Sequence, residues 1–318
     1  MPHSQFTSRS MLSDIRGASV EQAQLIRCRF QAGQLKRPNS KQMGALQGQH
    51  MSPHKGRGLS FHHVREYQGG DEIRHIDWRV TARTTKAHTK IFEEERERPV
   101  IICLDQRRTM AFGSRTRFKS VSACHAAALL AWAGLESSDR IGGIIFQDHQ
   151  HREIRPRRSQ KNVLHFLHQA CEANQALLTE QQSDETLALA QHFEALRRIT
   201  RPGSSVFIIS DFHGFDQAAE RQLTLLARHN SVTAIQVFDE LEAALPQTGN
   251  YPISNGKQRL QLRVTREIQT QFSNHFQART QDLQGSLQRC RISLSQLSTE
   301  QEPLRILQQS FKQGMQLS

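Results

Sequence analysis

The chain has 318 residues and a formal net charge of +12, which comes from 42 lysines and arginines against 30 aspartates and glutamates. Its length exceeds the usual size of a single domain, so we expect a central domain with flanking regions. No stretch approaches the roughly 18 apolar residues that a membrane-spanning helix needs, and the amino terminus lacks the apolar core of a signal peptide. We therefore expect a cytoplasmic protein without a membrane span.

Residues 1–58 predict one helix followed by a flexible segment. Ser19 is a candidate cap for this helix. The apolar residues that recur at helical spacing after it are Ala23, Leu25, Ile26 and Phe30. From Lys36 to Gly58 the sequence is polar and rich in turn residues, which is typical of a surface loop. We expect the helix to pack on the main body.

Residues 59–98 predict a small β-rich module with a dense block of charge, REYQGGDEIRHIDWRVTART. The expected strands are Ser60–Tyr67, Ile76–Val80 and His88–Phe92. Asp71 follows two glycines and fits a turn, and Trp78 on a strand is expected to be a packing anchor. The charged residues expected to form a buried or half-buried ion network are Arg65, Glu66, Asp71, Arg74, Asp77, Arg79 and Arg83. The alternative is that the block docks a partner.

Residues 99–245 alternate strands with helices, which is the pattern of a doubly wound, mostly parallel sheet covered on both faces. The strand candidates are Val100–Leu104, Ile141–Phe146, Ser205–Ser210 and Ser231–Phe238. The helix candidates are Phe118–Glu136, Asn162–Ala173, Thr186–Ile199 and Asp216–Ala227. Residues 246–318 predict an α+β extension that packs on this body, with elements at Tyr251–Ile253, Arg259–Val264, Glu267–Cys290, Arg291–Leu294 and Pro303–Lys312.

Two aspartates directly follow predicted buried strands: Asp105 follows the first and Asp211 the third. In an open parallel sheet, ligands bind outside the carboxyl ends of the strands. Paired carboxylates at this edge could serve acid-base chemistry, so one hypothesis is a metal-dependent hydrolase that uses both. However, the sequence has no glycine-rich phosphate loop, no G-x-S-x-G elbow and no H-E-x-x-H motif. We expect His213 to be an exposed loop residue rather than a catalytic group.

The positive charge supports another hypothesis, a basic nucleic-acid-associated protein. The sequence shows no helix-turn-helix, zinc-finger or RNA-binding aromatic signature. Aromatic residues make up only 6% of the chain, which disfavours a stacking surface for single strands. Generic basicity or an acidic protein partner is the better interpretation of the charge.

The charged block resembles the signature of a bacterial family catalogued as domain of unknown function 58, in which REY..GD..R.IDW..TAR precedes a von Willebrand factor A-like domain. The resemblance runs from about Leu59 to the carboxyl terminus and includes the Ser-Asp-Phe sequence at Ser210–Phe212. Members of this family are typically encoded beside MoxR-type AAA+ ATPases and are thought to act with them on client proteins. The resemblance therefore implies a non-enzymatic adaptor or co-chaperone whose partners are a MoxR-type ATPase and a client.

The same resemblance implies a metal-ion-dependent adhesion site at the strand ends. Asp105 and Thr109 match the first and last ligand types of its D-x-S-x-S motif, Asp211 matches its second aspartate, and Thr186 matches its loop threonine. Oxygen ligands of this kind suit magnesium. Arg107 stands where the family has a serine, and a guanidinium pairs with carboxylates instead of binding a cation. We expect a degenerate site, in which Arg107 either turns inward and replaces the metal or points to solvent beside a weakened metal site.

Overall fold

The computed structural model describes residues 15–35, 59–69, 71, 73–84, 86–94, 99–179, 186–254 and 259–316. The described residues belong to two units. The larger unit contains residues 15–35 and the described chain from residue 99 onward, and the smaller unit contains residues 59–94. The loop predicted at residues 36–58 lies outside the described residues.

A six-stranded mixed sheet forms the centre of the larger unit. Numbered along the chain, the strands are β1 (Leu59–Glu66), β2 (His88–Glu94), β3 (Pro99–Asp105), β4 (Arg140–Phe146), β5 (His151–Arg157), β6 (Ser205–Ser210), β7 (Ser231–Phe238), β8 (Gly249–Ser254), β9 (Arg259–Val264) and β10 (Ser293–Ser298). The strand order in the large sheet is β10-β7-β6-β3-β4-β5, while β1 pairs with β2 and β8 pairs with β9. Neighbours in the large sheet are parallel, except that β5 runs antiparallel to β4.

Helices cover both faces of this sheet. Numbered along the chain, the described helices are α1 (Gln22–Arg27), α2 (Arg29–Ala32), α3 (Trp78–Thr84), α4 (Lys119–Glu136), α5 (Gln160–Thr179), α6 (Leu189–Ile199), α7 (Gln217–Ala227), α8 (Glu240–Ala243), α9 (Arg266–Arg289) and α10 (Pro303–Gln316). Of these, α3 belongs to the smaller unit. Along β3, Ile102 belongs to a core shared with α1, α2, α4, α5 and α10, while Ile101 belongs to a second core shared with α6, α7 and α9. This alternation follows from the two-residue period of a strand. The predicted doubly wound α/β fold is confirmed.

The strand order places a ligand-binding crevice between β3 and β6. Counted within the large sheet alone, the six strands follow the order 3-2-1-4-5-6, with β3 as the first strand and β6 as the fourth. The chain leaves β3 toward β4 on one side and later returns to β6 on the other side. Doubly wound sheets bind ligands at this reversal point, outside the carboxyl ends of the two strands.

The first predicted helix is two short helices rather than one. Glu21, not Ser19, precedes α1 and forms a capping box with Gln24. Leu25 is buried as expected, but Phe30 is 73% exposed. The two helices are separated at Cys28. This segment still packs on the larger unit, where the indole Nε1 of Trp132 donates to the carbonyl of Leu25 at 3.1 Å.

Strand β5 was absent from the sequence prediction. Its sequence HREIRPR is polar, and Ile154 is its one buried residue. An antiparallel edge strand needs only one apolar position to hold its register and tolerates Pro156, since one side of its backbone faces no neighbour. A search for continuous apolar runs finds buried parallel strands and passes over an edge of this kind.

The smaller unit contains the β1–β2 hairpin and α3. The strand predicted at Ile76–Val80 is wrong: Ile76 makes an isolated bridge to Thr89 and α3 begins two residues later. The Asp77 carboxylate accepts the backbone N–H groups of Arg79 at 3.0 Å and Val80 at 3.2 Å. An aspartate with these contacts starts a helix, because it satisfies N–H groups that lack a partner in the first turn.

The carboxyl-terminal extension adds an edge strand to the large sheet. Strand β10 pairs in parallel with β7, after the β8–β9 hairpin and α9, and α10 then packs on the first core through Leu307. Among the described helices, none combines the length and the apolar character that crossing a membrane requires.

Candidate functional site

The two predicted aspartates lie together at the reversal point of the sheet. Asp105 is the last residue of β3, and Asp211 directly follows β6. The two strands are neighbours in parallel register, with Leu104 opposite Ile209. Parallel strands end at the same edge, so both carboxylates come to one place, and both are buried.

Arg107 turns inward and forks onto Asp105. Its Nε lies 3.0 Å from Oδ1 and 3.1 Å from Oδ2 of Asp105, and its Nη2 lies 2.8 Å from Oδ2. The guanidinium also donates to the carbonyl of His213 at 3.3 Å and lies 3.7 Å from Oδ1 of Asp211. The Arg107 side chain is only 8% exposed. Of the two alternatives for this residue, the structure has the inward one.

A second buried cation, Lys119, neutralises the other aspartate. Its Nζ lies 3.0 Å from Oδ2 of Asp211 and 2.7 Å from Oε1 of Glu242, and its side chain is 2% exposed. Lys119 was not among the predicted site residues, because lysines usually lie on a solvated face. One signal could have found it: a cation in the first turn of a helix opposes the helix dipole and needs a compensating carboxylate.

The network favours the charged forms of Arg107 and Asp211. Burial alone would lower the pKa of Arg107, but the charge and hydrogen bonds of Asp105 and the charge of Asp211 raise it. Burial likewise opposes ionisation of Asp211, yet Lys119 and the backbone N–H of His213 lower the pKa of this carboxyl. Ser210 adds a hydroxyl that donates to Oδ2 of Asp105 at 2.6 Å. The site is therefore a closed set of ion pairs.

The loop after β6 adopts a strained backbone to complete this set. Phe212 has a φ of 54°, a conformation that aromatic residues rarely adopt. Its ring is buried and packs near Phe193 and Phe215, with centroid distances of 6.4 and 6.2 Å. Buried aromatic packing thus holds the turn that aims the His213 carbonyl at Arg107. Strain of this kind concentrates at functional sites.

An open cleft lies beside the ion pairs. Its volume is about 460 Å³, and its lining residues are Arg107, Arg108, Thr109, Asp148, His149, Leu177, Thr186, Leu187, Ala188, Leu189, His213 and Gly214. The structure thus brings Thr109 and Thr186 to the same cleft. The hydroxyl of Thr109 is buried and has no hydrogen-bond partner among the described residues. A cleft of this size holds a side chain or a short peptide segment.

The residues present do not fit a magnesium ion. Each carboxylate oxygen of Asp105 and Asp211 already accepts a hydrogen bond from a cation, a backbone N–H or a hydroxyl. A divalent ion bound to both carboxylates would have to displace Arg107 and Lys119 and add two positive charges beside them. Among the described residues, only the hydroxyls of Thr109 and Thr186 are predicted ligands without a competing contact, and both are neutral.

Neither His213 nor His192 is placed to act as an acid-base group toward the cleft. His213 is exposed, and the structure engages its backbone N–H and carbonyl in the network. His192 is fully buried and stacks on Phe146 at 4.5 Å. Burial, followed by the charge of Arg107, lowers the pKa of His192 to about 4. A neutral, enclosed imidazole cannot reach a substrate in the cleft.

A third aspartate at the same sheet edge was not predicted as a site residue. Asp239 directly follows β7, is fully buried, and accepts hydrogen bonds from the Ser114 backbone at 2.9 Å and the Thr299 hydroxyl at 2.6 Å. The rule that selected Asp105 and Asp211 would have selected it too. These contacts connect the loop after β3 to the end of β10, so Asp239 helps to hold that loop at the sheet edge.

The charged block in the smaller unit does not form the predicted network. Arg65 pairs with Asp71 at 2.7 Å, and Asp71 also accepts the backbone N–H of Gln68 at 3.0 Å, in agreement with a turn. The other pairs are Glu66 with Lys86 at 2.9 Å and Asp77 with Lys90 at 3.5 Å. The predicted network residues that are exposed are Glu66, Arg74, Arg79 and Arg83, and Trp78 is exposed as well. The predicted packing role of Trp78 is wrong, since its side chain lies on the solvent face of α3.

Comparison with known proteins gives relatives whose function is not described. An uncharacterized protein from Mycobacterium bovis and two from strains of Mycobacterium tuberculosis are each 26% identical over 261 residues, which cover 81% of this chain and 80% of each relative. A von Willebrand factor type A structure from Catenulispora acidiphila shows a TM-score of 0.35 and 10% identity, over 72% of this chain and 43% of that chain.

The family resemblance seen in the charged block is confirmed by a match over most of the chain. Residues 63–285 match the family described as "Protein of unknown function DUF58". This range includes the charged block, β3 with Asp105 and Arg107, and β6 with Asp211. The chain belongs to the DUF58 family.

Proposed function

We propose that this protein is a non-enzymatic adaptor or co-chaperone of the bacterial cytoplasm that works with a MoxR-type AAA+ ATPase on a client protein. The observation that carries the proposal is the neutralisation of Asp105 and Asp211 by Arg107 and Lys119. A hydrolase at this edge would need one carboxylate free to accept a proton or to hold a metal ion. Fixed ion pairs instead give a rigid, specific surface for recognition.

The cleft next to these ion pairs supports recognition of a protein segment. Its wall combines polar side chains with the apolar side chains of Leu177 and Leu187, and binding sites commonly use such a mixture. Arg107 cannot leave the cleft floor without stranding Asp105, so the floor is preformed. We propose that a client or ATPase segment enters here.

The test uses the tagged full-length chain, purified from its own bacterium together with bound proteins. Thr186→Arg places a long side chain on the cleft wall, and Thr270→Arg makes the same change at an exposed position of α9. We expect a MoxR-type ATPase to copurify with the wild type and with Thr270→Arg. We expect either the ATPase or the client protein to be lost with Thr186→Arg.

Two results would replace this proposal with an alternative. Turnover of simple phosphate or peptide substrates by the pure protein, lost in both Asp105→Asn and Asp211→Asn, would favour the hydrolase. Copurification of nucleic acid without any AAA+ ATPase would favour the nucleic-acid-associated protein.

A further inference from the structure

The smaller unit displays an apolar surface that its own fold does not use. Trp78 is 68% exposed and Ile73 is 67% exposed. They lie at the start of α3 and in the single turn of 3-10 helix just before it. Large apolar side chains that stay in water at neighbouring positions mark sites of interaction.

Helix α3 is held on β2 through Thr81 and Thr84. The Thr81 hydroxyl accepts the backbone N–H of His88 at 3.0 Å, and the Thr84 hydroxyl lies 3.0 Å from Nδ1 of the same histidine. Asp77 caps the amino terminus of the helix, and its Oδ2 lies 3.5 Å from the Nζ of Lys90 on β2. The helix therefore docks on β2 without a contribution from Trp78, which leaves that side chain available to a partner.

Among the described residues, the charges that this surface leaves without an ion pair are all positive. The acidic residues of the unit that the structure describes around it are paired internally: Asp71 with Arg65, Asp77 with Lys90, and Glu66 with Lys86. Three arginines on the exposed side make no ion pair within the described residues. They are Arg74, Arg79 and Arg83. Since α3 turns by 100° per residue, Arg79 and Arg83 share one face, and Trp78 lies on the adjoining side next to Arg79.

We propose that this surface, formed by Ile73, Arg74, Trp78, Arg79 and Arg83, docks an acidic protein segment that carries an apolar anchor residue. Tryptophan and arginine are the residues most enriched at the energetic centres of protein interfaces. The arginines attract carboxylates and exclude basic partners, while Trp78 and Ile73 bury the anchor. The inference goes beyond the proposed function by assigning the binding surface and the partner's chemistry to the smaller unit.

A protein segment explains this surface better than a nucleic acid does. Single strands are bound on several aromatic side chains along a groove, whereas the described residues of this surface include one exposed tryptophan and one exposed isoleucine. Exposed aliphatic and aromatic side chains suit an apolar anchor residue. Nucleic acid binding is therefore an outcome that the test must detect.

The experiment selects ligands from a display library of random 16-residue peptides on the full-length chain, with counter-selection on Trp78→Ala. The expected winners carry net negative charge and at least one large apolar residue. The tightest peptide is then titrated into the wild type, a triple arginine variant of this surface and a matched control, while tryptophan fluorescence is followed. We expect Arg74→Glu/Arg79→Glu/Arg83→Glu to weaken binding at least about tenfold.

The matched control is Arg155→Glu/Arg157→Glu/Arg201→Glu, which makes the same change of net charge at three exposed arginines of the larger unit. It should bind the selected peptide as the wild type does. Equal weakening in both triple variants would show simple long-range attraction and overturn the proposal. Selection of basic or uncharged peptides, no enrichment at all, or tighter binding of a 15-nucleotide single strand through the same arginines would overturn it too.

A final arm separates this inference from the proposed function. If the copurified AAA+ ATPase binds Trp78→Ala as well as it binds the wild type and no acidic peptide is selected, the docking surface is wrong and the adaptor function stands. If acidic peptides bind through Trp78 but no ATPase is ever recovered, the surface stands and the ATPase partnership is wrong.

Discussion

Arg107 and Lys119 solve the same electrostatic problem in different ways. Arg107 is planar and presents Nε and Nη2 to both oxygens of Asp105, which a lysine could not do. Lys119 is a point charge that bridges Asp211 and Glu242. Both ion pairs lose hydration on burial, so removing one partner would leave the other as an uncompensated buried charge and destabilise the fold.

Replacing Lys119 with methionine should destabilise the larger unit. Met keeps the length of the side chain but leaves Asp211 and Glu242 without their shared cation, and stranding a buried charge costs on the order of 3 kcal/mol. Urea unfolding followed by circular dichroism measures the change. The control is Lys86→Met, which removes an exposed pair with Glu66 and should leave the unfolding midpoint unchanged. Equal midpoints for both variants would show that Lys119 is not structurally important.

The stability difference between the wild type and Lys119→Met should depend on pH. The pKa of Asp211 is lowered in the folded protein, so its contribution to stability is present above the ordinary aspartate pKa and is lost as the pH falls through the lowered value. Without Lys119 the pKa of Asp211 rises toward or above its ordinary value. The difference between wild type and Lys119→Met should therefore shrink at acidic pH.

His192 should make the protein sensitive to mild acid. Both of its ring nitrogens are buried without a partner among the described residues, and its pKa falls from 6.5 to about 4 on folding. The unfolded chain binds the proton first, so stability is full above pH 6.5 and is lost as the pH falls toward 4, by on the order of 3 kcal/mol. His192→Phe should keep its stability at pH 7 and lose less between pH 6.5 and 4. Parallel losses in the two proteins would contradict this assignment.

At the scale of elements, close packing of β4 against β3 depends on glycine. A Cβ added at Gly143 would lie 2.4 Å from the Ile102 carbonyl oxygen and 2.7 Å from the Phe166 ring. The backbone of β3 cannot move away without breaking the hydrogen bonds between β3 and β4. The same hydrogen bonds position Asp105, which lies three residues after Ile102 on β3. Sheet geometry and site geometry are thus linked through β3.

Gly143→Ala should therefore destabilise the fold by more than about 2 kcal/mol, as overpacking against a fixed backbone does. The opposite result is expected for Gly285→Ala in α9, where the nearest atom to the new Cβ is the Arg289 Nη1 at 3.7 Å. There alanine should stabilise the helix by up to about 1 kcal/mol. Thermal unfolding of both variants tests the pair, and a tolerated Gly143→Ala would show that the sheet can relax.

At the scale of the whole molecule, the sequence predicted what depends on long apolar runs. The four buried parallel strands and the helices between them follow from periodicity, and Asp105 and Asp211 follow from their places after β3 and β6. Edge strand β5, helix α3 and Lys119 were missed, because each depends on contacts made after folding. The polar side chains of β5 and α3 are stabilised by neighbours that a local pattern does not contain.

The exposure of Trp78 in the smaller unit also depends on contacts that form on folding. A tryptophan within a charged block was predicted as a packing anchor, since most tryptophans are well buried. Its exposure depends on Asp77 starting a helix instead of continuing a strand. The sequence could not decide this, because Asp77 fits both a strand end and a helix cap.

We propose that Arg107 and Lys119 take the place that a metal ion would occupy between Asp105 and Asp211. Calorimetric titration with magnesium tests it most directly, using the wild type and the double variant Arg107→Ser/Lys119→Gln. We expect no saturable binding to the wild type at millimolar magnesium, and measurable binding to the double variant, whose carboxylates regain free oxygens and whose site gains the hydroxyl ligand of a serine. Micromolar binding to the wild type that disappears in Asp105→Asn would contradict the claim.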